Sequence, residues 1–349
     1  MIILLGSTGY IGQAFAREIQ RRGYPCKLLS RESLDYTRFD ILFHYVRQIK
    51  PELLINAAGF TGRPNVDACE NARAETLQGN LVLPQTLSRV CVMTNTPWGH
   101  ISSGCIYSGA KVALNGRIYV KKNLNKPSLR KLYEEHPDRF QGFTENDEPN
   151  FTFRNPPCSF YSGSKALAEE SLRGAAQNYI WRLRIPFDEF DHPRNFLTKI
   201  NSYPRIYDAI NSLSHRGDFV NACLDLWERR GPYGIYNVTN PGSVGSREVV
   251  DKITCLLQPS RTFQFWKDDE EFYRVAATTP RSNCILDVTK LMNAGVQMRN
   301  VRAALEDSLQ NWQPSTATLR ADFSQFPPHP KLGLAGTSWR PDAISPPAS

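Results

Sequence analysis

Short apolar runs alternate with amphipathic stretches over the first half of the chain. The apolar runs have the length of buried strands, and the stretches between them repeat their apolar residues with helical spacing. Strands that alternate with helices form a parallel sheet, because each helix returns the chain to the end of the sheet at which the previous strand began. We therefore predict an α/β fold with a doubly wound parallel sheet. The predicted strands are, in chain order, MIILLG, CKLLS, ELLINAAG, PWGHISSGCIY and YIWRLRIP.

The same pattern divides the chain into three parts. Residues 1–186 carry the alternation and form the first predicted domain, which a long polar insertion at 110–150 interrupts. Residues 187–312 show a weaker, mixed periodicity, which predicts a smaller C-terminal α/β lobe interleaved with the first domain. Residues 313–349 are rich in Pro, Ser and Ala and are predicted to form a largely disordered tail.

Composition and charge favour a cytoplasmic protein with an anionic ligand. The net charge is +8, but the chain carries no RNA- or DNA-binding motif, so we expect no nucleic-acid partner. The densest basic cluster, VKKNLNKPSLRK, is predicted to be a solvated loop. The eight cysteines include no CxxC pair, which disfavours disulfides and a metal site. No apolar run is long enough for a membrane span, and the N-terminus lacks the features of a signal peptide.

The motif GSTGYIG follows the first predicted strand and opens a helix. Gly6 permits a tight turn, Gly9 lets the backbone approach a pyrophosphate, and Gly12 lets the helix pack on the sheet. The helix N-terminus supplies amide donors for the anion. This context predicts a dinucleotide site on a Rossmann fold.

The end of the second strand bears on the choice of cofactor. Rossmann proteins that bind NAD carry an Asp or Glu there, whereas this chain has Ser30 and Arg31. A hydroxyl and a guanidinium favour a 2′-phosphate, which predicts NADPH, with NADH as the alternative. Arg31 could equally be a solvated surface charge.

The segment FYSGSKALAEE places Tyr161 and Lys165 four residues apart, on one face of a predicted helix. A tyrosine hydroxyl has an ordinary pKa of about 10, and a neighbouring ammonium group stabilises its phenolate. Such a pair can exchange a proton with a carbonyl or alcohol oxygen. Together with the glycine motif and a fourth strand that ends in serines, it indicates an oxidoreductase.

These motifs resemble those of the extended short-chain dehydrogenases/reductases that act on sugar nucleotides. Within that group the chain is similar to the bifunctional nucleotide-rhamnose synthases, which are 3,5-epimerase/4-reductases of UDP- or dTDP-4-keto-6-deoxyglucose, and to dTDP-4-dehydrorhamnose reductase. The resemblance covers roughly residues 3 to 310, but not the insertion or the tail. The segments that carry it are NAAGFTGRPNVDACE, NFTFRNPPCSFYSGSKALAEE, PRNFLTKI, YNVTNPGSVGSREVV and PRSNCILDVTKL.

The resemblance implies a catalytic triad of Ser103, Tyr161 and Lys165, with Ser102 as the competing serine. It also implies that Asn80 is a structural residue, which helps to hold the lysine and a water. The predicted cofactor contacts are Gly6, Thr8, Gly9, Tyr10, Ile11, Gly12, Ser30, Arg31, Ala57, Ala58, Arg63, Asn80, Tyr161 and Lys165.

Cys105 follows Ser103 by two residues at the end of the fourth strand, and strand alternation predicts that both face one side. Related epimerase-reductases, including GDP-fucose synthase, carry the same Ser-x-Cys pattern, which implies that Cys105 is the base that removes the protons at C3 and C5. Its thiol would need a nearby cation to lower its pKa. The resemblance implies Lys199 as the partner acid, with His192 as the alternative because imidazole titrates near neutrality. A small buried apolar role for Cys105 and a surface role for Lys199 are the competing interpretations.

The predicted substrate contacts add arginines and an asparagine to Cys105 and Lys199. Arg63 lies after the third strand, near the cofactor or the sugar. Arg194 and Asn195 would hold the sugar or the diphosphate, and Arg281 matches a family arginine at the diphosphate. For these arginines the competing interpretation is a salt bridge or a solvated surface charge.

The sequence thus predicts a cytoplasmic, NADPH-dependent 3,5-epimerase/4-reductase of a UDP- or dTDP-linked 4-keto-6-deoxyhexose. Its product would be a nucleotide-L-rhamnose, and a homodimer is an open alternative to a monomer. Two other functions stay open: a plain 4-ketoreductase and a non-catalytic regulatory subunit that binds nucleotide. The intact triad argues against the second.

Overall fold

The computed structural model describes residues 1–315, in which strands and helices alternate along the first half of the chain. The strands are β1 (Ile2–Leu5), β2 (Cys26–Leu29), β3 (Leu53–Asn56), β4 (Trp98–Ser103), β5 (Ala110–Leu114), β6 (Arg117–Lys121), β7 (Phe140–Gln141), β8 (Asn178–Leu183), β9 (Pro186–Phe187), β10 (Arg205–Ile206), β11 (Ile210–Asn211), β12 (Ser214–His215), β13 (Gly234–Asn237), β14 (Val244–Gly245) and β15 (Gln264–Phe265). The α-helices are α1 (Tyr10–Arg21), α2 (Phe39–Ile49), α3 (Ala68–Asn71), α4 (Arg73–Leu77), α5 (Leu83–Thr94), α6 (Pro127–Glu135), α7 (Phe160–Ser171), α8 (Phe196–Ser202), α9 (Arg216–Glu228), α10 (Ser246–Leu256), α11 (Asp269–Val275), α12 (Thr289–Asn293) and α13 (Val301–Gln310). A π-helical turn at Gln78–Val82 joins α4 to α5, and 3₁₀ turns lie at Gly104–Ile106 and Pro137–Arg139.

A parallel sheet of six strands forms the centre of the fold, in the order β13-β8-β4-β3-β1-β2. β1 lies between β2 and β3, with Ile2 opposite Cys26 on one side and Leu53 on the other. β1 and β3 are buried along their whole length, as expected of strands covered by helices on both faces. The predicted doubly wound Rossmann sheet is confirmed. Its sixth strand, β13, comes from the region predicted to belong to the second lobe.

One face of the sheet buries an apolar cluster beneath α2 and α5. Ile3, Leu54 and Trp98 point into this cluster from the sheet, and Leu42 and Leu87 meet them from the two helices. All are shielded from water, so each contributes the usual free energy of apolar burial, about 1.5–3 kcal/mol per large side chain. This packing fixes the carboxyl ends of β1, β3 and β4 relative to one another.

Residues after β9 form a second cluster around α8, α10 and α13. Leu197 and Ile200 of α8 pack there against Val249 and Ile253 of α10 and Leu305 of α13. The strands of this region pair two by two: β10 with β15, β11 with β14, and β12 with β9. They are too short to produce a clear sequence periodicity, and this is why the region gave only a mixed pattern.

The insertion is an ordered unit and not a solvated loop. β6, β5 and β7 form an antiparallel sheet in that order, and α6 follows β6. Leu124 and Tyr133 are buried in a cluster with Ile210 and Ile285 of the later part of the chain. The prediction that VKKNLNKPSLRK is a solvated loop is therefore wrong. Apolar Leu124 anchors the cluster, and the Arg130 guanidinium is paired with Asp208.

Both ends of the insertion are attached to the same stretch of chain, residues 283–287. At one end, the Gly109 amide donates to the Asn283 carbonyl (2.6 Å) and the Ile285 amide donates to the Gly109 carbonyl (3.1 Å). At the other end, the Phe143 amide donates to the Ile285 carbonyl and the Asp287 amide donates to the Phe143 carbonyl, both at 2.9 Å. The insertion thus leaves and rejoins the fold at one place.

Gln313, the first residue of the predicted tail, forms backbone hydrogen bonds with residues of the second lobe. The Gln313 amide donates to the Glu189 carbonyl (2.8 Å), and the Asp191 amide donates to the Gln313 carbonyl (2.9 Å). Residues 316–349 of the predicted tail lie outside the described residues. Within residues 1–315, no helix has both the length and the apolar character needed to cross a membrane.

Candidate active site

The loop between β1 and α1 packs backbone against backbone. Gly6 has φ +71°, a conformation that favours glycine. A Cβ on Gly6 would come within 2.6 Å of the Ala58 amide nitrogen, and one on Gly12 would overlap the Gly6 carbonyl oxygen. A hydrogen bond from the Ala57 amide to the Leu5 carbonyl (3.0 Å) holds the facing segment in place. Both glycines are thus required by close approach, as predicted for a dinucleotide loop.

The first turn of α1 presents amide groups without a side-chain cap. Its N-cap is Gly9, and among the described residues no side chain caps the helix. Tyr10, Ile11 and Gly12 form its first turn, and Thr8 is exposed on the loop before it. Uncapped amides at a helix N-terminus bind phosphate well. The loop therefore fits the pyrophosphate of a dinucleotide.

Ser30 and Arg31 lie directly after β2, next to β1 in the sheet. The Ser33 amide donates to the Ser30 hydroxyl (3.3 Å), so this hydroxyl helps to shape the turn. Arg31 is exposed, and its guanidinium makes no hydrogen bond or ion pair with another residue of the range 1–315. Its role at a 2′-phosphate stays a prediction.

Ser102 and Ser103 belong to opposite faces of β4. The Ser102 hydroxyl donates to Glu169 (2.5 Å), which is itself paired with buried Arg182. The Ser103 hydroxyl instead accepts a hydrogen bond from the Cys105 amide (3.2 Å) at the start of the 3₁₀ turn. Ser102 is therefore committed to a buried ion pair, whereas the role of Ser103 as the serine of the triad stays a prediction.

Tyr161 and Lys165 lie one turn apart on α7, next to Ser103. Burial and the nearby Cys105 thiol raise the pKa of Tyr161, and the Ser103 hydroxyl partly offsets this effect. Burial lowers the pKa of Lys165 to about 8, and its ammonium donates to the Ile101 carbonyl (2.9 Å). The expected lowering of the Tyr161 pKa by Lys165 is not observed in this structure. The carbonyl of β4 holds the ammonium group instead.

Cys105 lies beside the triad, but not for the reason that strand alternation gave. β4 ends at Ser103, and Cys105 belongs to the 3₁₀ turn that follows. The turn nevertheless keeps the thiol close to the hydroxyls of Ser103 and Ser162. Burial raises the pKa of Cys105, and these hydroxyls together with the charges of Arg184 and Lys165 only partly offset the rise. The thiol is therefore protonated near neutrality.

Asn80 ties two parts of the site together. Its amide group exchanges two hydrogen bonds of 2.8 Å with the backbone of Phe60, which follows β3. The same side chain donates to the Ser164 hydroxyl on α7 (3.2 Å). The structure thus shows Asn80 as a structural residue, but its direct partner on α7 is Ser164 and not Lys165.

The candidates from the second lobe approach the triad through Arg194. This guanidinium donates to the Gly62 carbonyl after β3 (2.8 Å), and its charge acts on Tyr161. Lys199 follows on α8, where burial and the charge of Arg194 lower its pKa. Its ammonium group makes no hydrogen bond with any described residue. His192 instead accepts from the Arg194 amide through Nδ1 (3.0 Å), which leaves the proton of the neutral ring on Nε2.

The other predicted substrate residues have different surroundings. Asn195 is wholly buried and caps α8, so its amide is taken up by the protein itself. Arg281 forms a two-pronged ion pair with Asp67 (2.5 and 2.6 Å) and keeps 21% of its side chain exposed. Arg63 is exposed, without a hydrogen-bond partner in the part of the chain that the structure describes. Of the three, Arg63 and Arg281 can still reach a bound anion.

Sequence reasoning missed several buried polar residues that support the site. Two features of the sequence could have revealed them. Charged residues interrupt or directly follow an apolar strand in YIWRLRIPFD, and Glu169 lies one helical turn after Lys165. The residues concerned are Ser162, Glu169, Arg182, Arg184 and Asp188.

Comparisons with known proteins agree with this geometry. The RmlD substrate-binding domain model matches residues 1–313. A bifunctional dTDP-4-dehydrorhamnose 3,5-epimerase/dTDP-4-dehydrorhamnose reductase of Arabidopsis thaliana is 31% identical over 306 residues, which cover 87% of this chain and 90% of that protein. Trifunctional relatives from the same plant are longer. For the one named as a UDP-glucose 4,6-dehydratase, UDP-4-keto-6-deoxy-D-glucose 3,5-epimerase and UDP-4-keto-L-rhamnose reductase (30% identical), the chain spans only 41% of the length.

Solved structures share the fold. The L780 UDP-rhamnose synthase of Acanthamoeba polyphaga mimivirus superposes with a TM-score of 0.74 at 23% identity, covering 89% of this chain and 98% of that one. A dTDP-4-dehydrorhamnose reductase from Bacillus anthracis, solved in complex with NADP, gives a TM-score of 0.68 at 19% identity, over 89% and 97% of the two chains. With the family model matched over residues 1–313, the chain belongs to the RmlD substrate-binding domain family, whose named relatives are sugar-nucleotide reductases.

Proposed function

We propose that the chain is an NADPH-dependent 3,5-epimerase/4-reductase of a UDP- or dTDP-linked 4-keto-6-deoxyhexose, with a nucleotide-L-rhamnose as product. The observation that carries the proposal is the convergence of Ser103, Tyr161, Lys165 and Cys105 where β4 ends against α7. Residues 1–186 would bind the dinucleotide, and residues 187–312 would supply most contacts to the nucleotide sugar. A homodimer and a cytoplasmic location stay predictions.

The loop between β1 and α1 fits the cofactor. The uncapped first turn of α1 would hold the pyrophosphate, and Arg31 with Ser30 would face a 2′-phosphate, which favours NADPH. Bound there, NADPH supplies the hydride that reduces the keto group at C4.

Epimerisation would come first and use Cys105 and Lys199. The keto group at C4 makes the protons at C3 and C5 acidic, so a base on one face of the ring can remove each of them. At each carbon the Cys105 thiolate takes the proton, the electron pair moves onto the C4 keto oxygen as an enolate, and the Lys199 ammonium returns a proton to the opposite face. Before the second carbon reacts, the Cys105 thiol loses its proton to solvent and the Lys199 amine takes one up. Bound substrate must favour the thiolate, because burial raises the pKa of Cys105 in the free protein. Lys165 is the nearby cation that can do this once water leaves the site.

Reduction would follow at C4. The Ser103 hydroxyl donates a hydrogen bond to the carbonyl oxygen, and Tyr161 gives its proton to that oxygen as the hydride arrives at carbon. The positive charge of Lys165 then stabilises the phenolate left on Tyr161. Arg63, Arg194 and Arg281 would bind the diphosphate of the substrate, since guanidinium groups match phosphate geometry.

A plain 4-ketoreductase is the second candidate, and the raised pKa of Cys105 favours it. The two are separated by turnover of UDP- and dTDP-4-keto-6-deoxyglucose with NADPH in D₂O. We expect deuterium at C3 and C5 of the product, because each inverted carbon must take a proton from solvent. Reduction without label at these carbons would rule out the epimerase and leave the reductase.

Single-residue variants test which side chain carries out epimerisation and which carries out reduction. Cys105→Ala should lower label incorporation by about 10²-fold or more while it still reduces a substrate that is already epimerised. Tyr161→Phe should do the reverse, keeping exchange and losing reduction. Cys91→Ala is the control, because Cys91 is also buried but packs in the apolar cluster beneath α5. If Cys105→Ala and Cys91→Ala exchange equally fast, Cys105 is not the base.

A further inference from the structure

Asp188 is a buried carboxylate that contacts both the first residue of α1 and the residue that caps α8. Only 3% of its side chain is exposed. The Tyr10 hydroxyl donates to Asp188 Oδ1 (3.0 Å), and Asn195 Nδ2 donates to the same oxygen (2.9 Å) and to the Asp188 carbonyl (2.8 Å). Arg216, the first residue of α9, forms an ion pair with its other oxygen. A buried charge is costly without its partners, so these contacts hold α1, α8 and α9 together.

Tyr10 is held by its ring and backbone as well as by its hydroxyl. The ring stacks on His192, with centroids 4.6 Å apart and planes inclined by 14°. The Arg216 guanidinium lies over the ring at 4.2 Å, a cation–π contact, and Arg216 Nη1 donates to the Tyr10 carbonyl (3.2 Å). The first residue of α1 is therefore fixed to the segments that surround α8.

At its other end the same network sets the position of α8. Asn195 is the N-cap of α8, where its Oδ1 accepts from the Leu197 amide (2.9 Å). Lys199 stands one turn further, with its amide bonded to the Asn195 carbonyl (3.1 Å). Any shift of Asn195 against Asp188 would therefore move Lys199, and with it the neighbouring Arg194.

We propose that Asp188 is a positioning residue, which couples the occupied cofactor loop to α8 and so tightens binding of the nucleotide sugar. The inference rests on the proposed function, since it takes the pyrophosphate of the cofactor to lie on the first turn of α1. Phosphate bound there restricts Tyr10, and the hydrogen bond to Asp188 passes the restriction to Asn195 and α8. The coupling is reciprocal, so the nucleotide sugar also tightens binding of the cofactor.

The test removes one hydroxyl from the network. Tyr10→Phe keeps the ring stack and the backbone bond but loses the hydrogen bond to Asp188. Calorimetry with UDP and dTDP as probes gives the affinity with and without saturating NADP⁺. The wild type should bind its preferred diphosphate at least about fivefold more tightly with NADP⁺, and in Tyr10→Phe this ratio should fall to about one. Saturation with NADP⁺ removes any effect of the variant on cofactor affinity itself.

Tyr236→Phe is the matched control, because it also deletes a half-buried hydroxyl bond, from Tyr236 to the Pro232 carbonyl (2.6 Å), away from the network. Its ratio should equal that of the wild type. Equal ratios in wild type and Tyr10→Phe, or a wild-type ratio of one, overturn the coupling.

Hydrogen exchange provides a second readout that needs no sugar nucleotide. Addition of NADP⁺ should slow amide exchange of residues 196–202 in the wild type and leave it unchanged in Tyr10→Phe. Unchanged exchange in the wild type overturns the proposal whatever the variant does. Turnover of the keto sugar is assayed separately. If the wild type turns over the keto sugar but NADP⁺ does not tighten diphosphate binding, only this inference is refuted. If the wild type shows no turnover at all, the proposed function is refuted.

Discussion

Ser102, Ser103 and Cys105 show how closely placed side chains can serve different parts of a protein. Ser102 points away from the triad and completes the buried pair of Glu169 and Arg182. Ser103 points to Tyr161, and the turn after it keeps the Cys105 thiol on the same side. In the proposed function the Ser103 hydroxyl would serve the carbonyl oxygen, and the Cys105 thiol would serve the adjacent carbon acids.

At the same scale, the ionisation of Lys165 predicts how reduction depends on pH. Burial lowers the pKa of Lys165 to about 8, so the ammonium loses its proton as the pH rises through that value. The charge proposed to stabilise the Tyr161 phenolate during reduction is then lost. The rate constant for reduction, measured in single turnovers, should be constant below this pH and fall towards tenfold per pH unit above it.

Lys165→Arg provides the control for that profile, since arginine keeps its charge over the whole range. The variant is expected to be slower, but its rate should not fall near pH 8. A wild-type profile that stays flat through this region would show that the charge of Lys165 does not limit reduction.

The insertion shows how an element can be missed when its apolar residues are few. Its pattern contains only scattered apolar positions among lysines and asparagines, yet Leu124 and Tyr133 are buried against residues distant in sequence. The Tyr133 hydroxyl forms hydrogen bonds with the backbone carbonyl (2.7 Å) and the hydroxyl (2.8 Å) of Ser243. The insertion is therefore held by tertiary contacts that no local pattern reveals.

This packing predicts a marked effect of Tyr133→Ala on stability. Tyr133 is only 8% exposed and meets Phe140 edge-on, so truncation leaves a cavity and an unpaired Ser243. We expect a loss of about 3–5 kcal/mol in the free energy of unfolding, measured by urea denaturation. Tyr119→Ala is the matched control from the same insertion, because Tyr119 on edge strand β6 is 42% exposed. It should change the value by less than about 0.5 kcal/mol, and similar losses in both variants would contradict the packing described.

At the scale of the whole molecule, the net charge of +8 has a kinetic consequence. A protein of this charge attracts a substrate with a diphosphate, and salt screens that attraction. For the proposed keto-sugar nucleotide, kcat/KM should therefore fall by about tenfold as sodium chloride is raised to well above physiological levels, while kcat changes little. Steady-state kinetics with saturating NADPH measures this. A constant kcat/KM would show that the charge lies away from the substrate path.

The sequence predicted β1, β3, β4 and β8 of the central sheet well because these strands are largely buried runs between amphipathic helices. It also predicted that Gly6 and Gly12 would be required by close backbone approach. It could not predict the short strands β9 to β15, which are set by distant partners. Nor could it reveal the surroundings of Asp188, since Tyr10, Asn195 and Arg216 meet there from three separate regions of the chain. Local reasoning placed Cys105 on the same side as Ser103, but a 3₁₀ turn and not strand alternation is the cause, because β4 ends two residues before Cys105.

The attachment of both insertion ends to residues 283–287 has a consequence for how the insertion can be altered. A segment that enters and leaves at one point can be lengthened without displacing its two attachment points, provided that its buried contacts to the later part of the chain are kept. Ser103 and Tyr161 stand on those two sides, and Asn80 and the sheet keep them in place. A graft between Gly109 and Phe143 that keeps the buried contacts of Leu124 and Tyr133 would therefore leave the segments that carry Ser103 and Tyr161 in place.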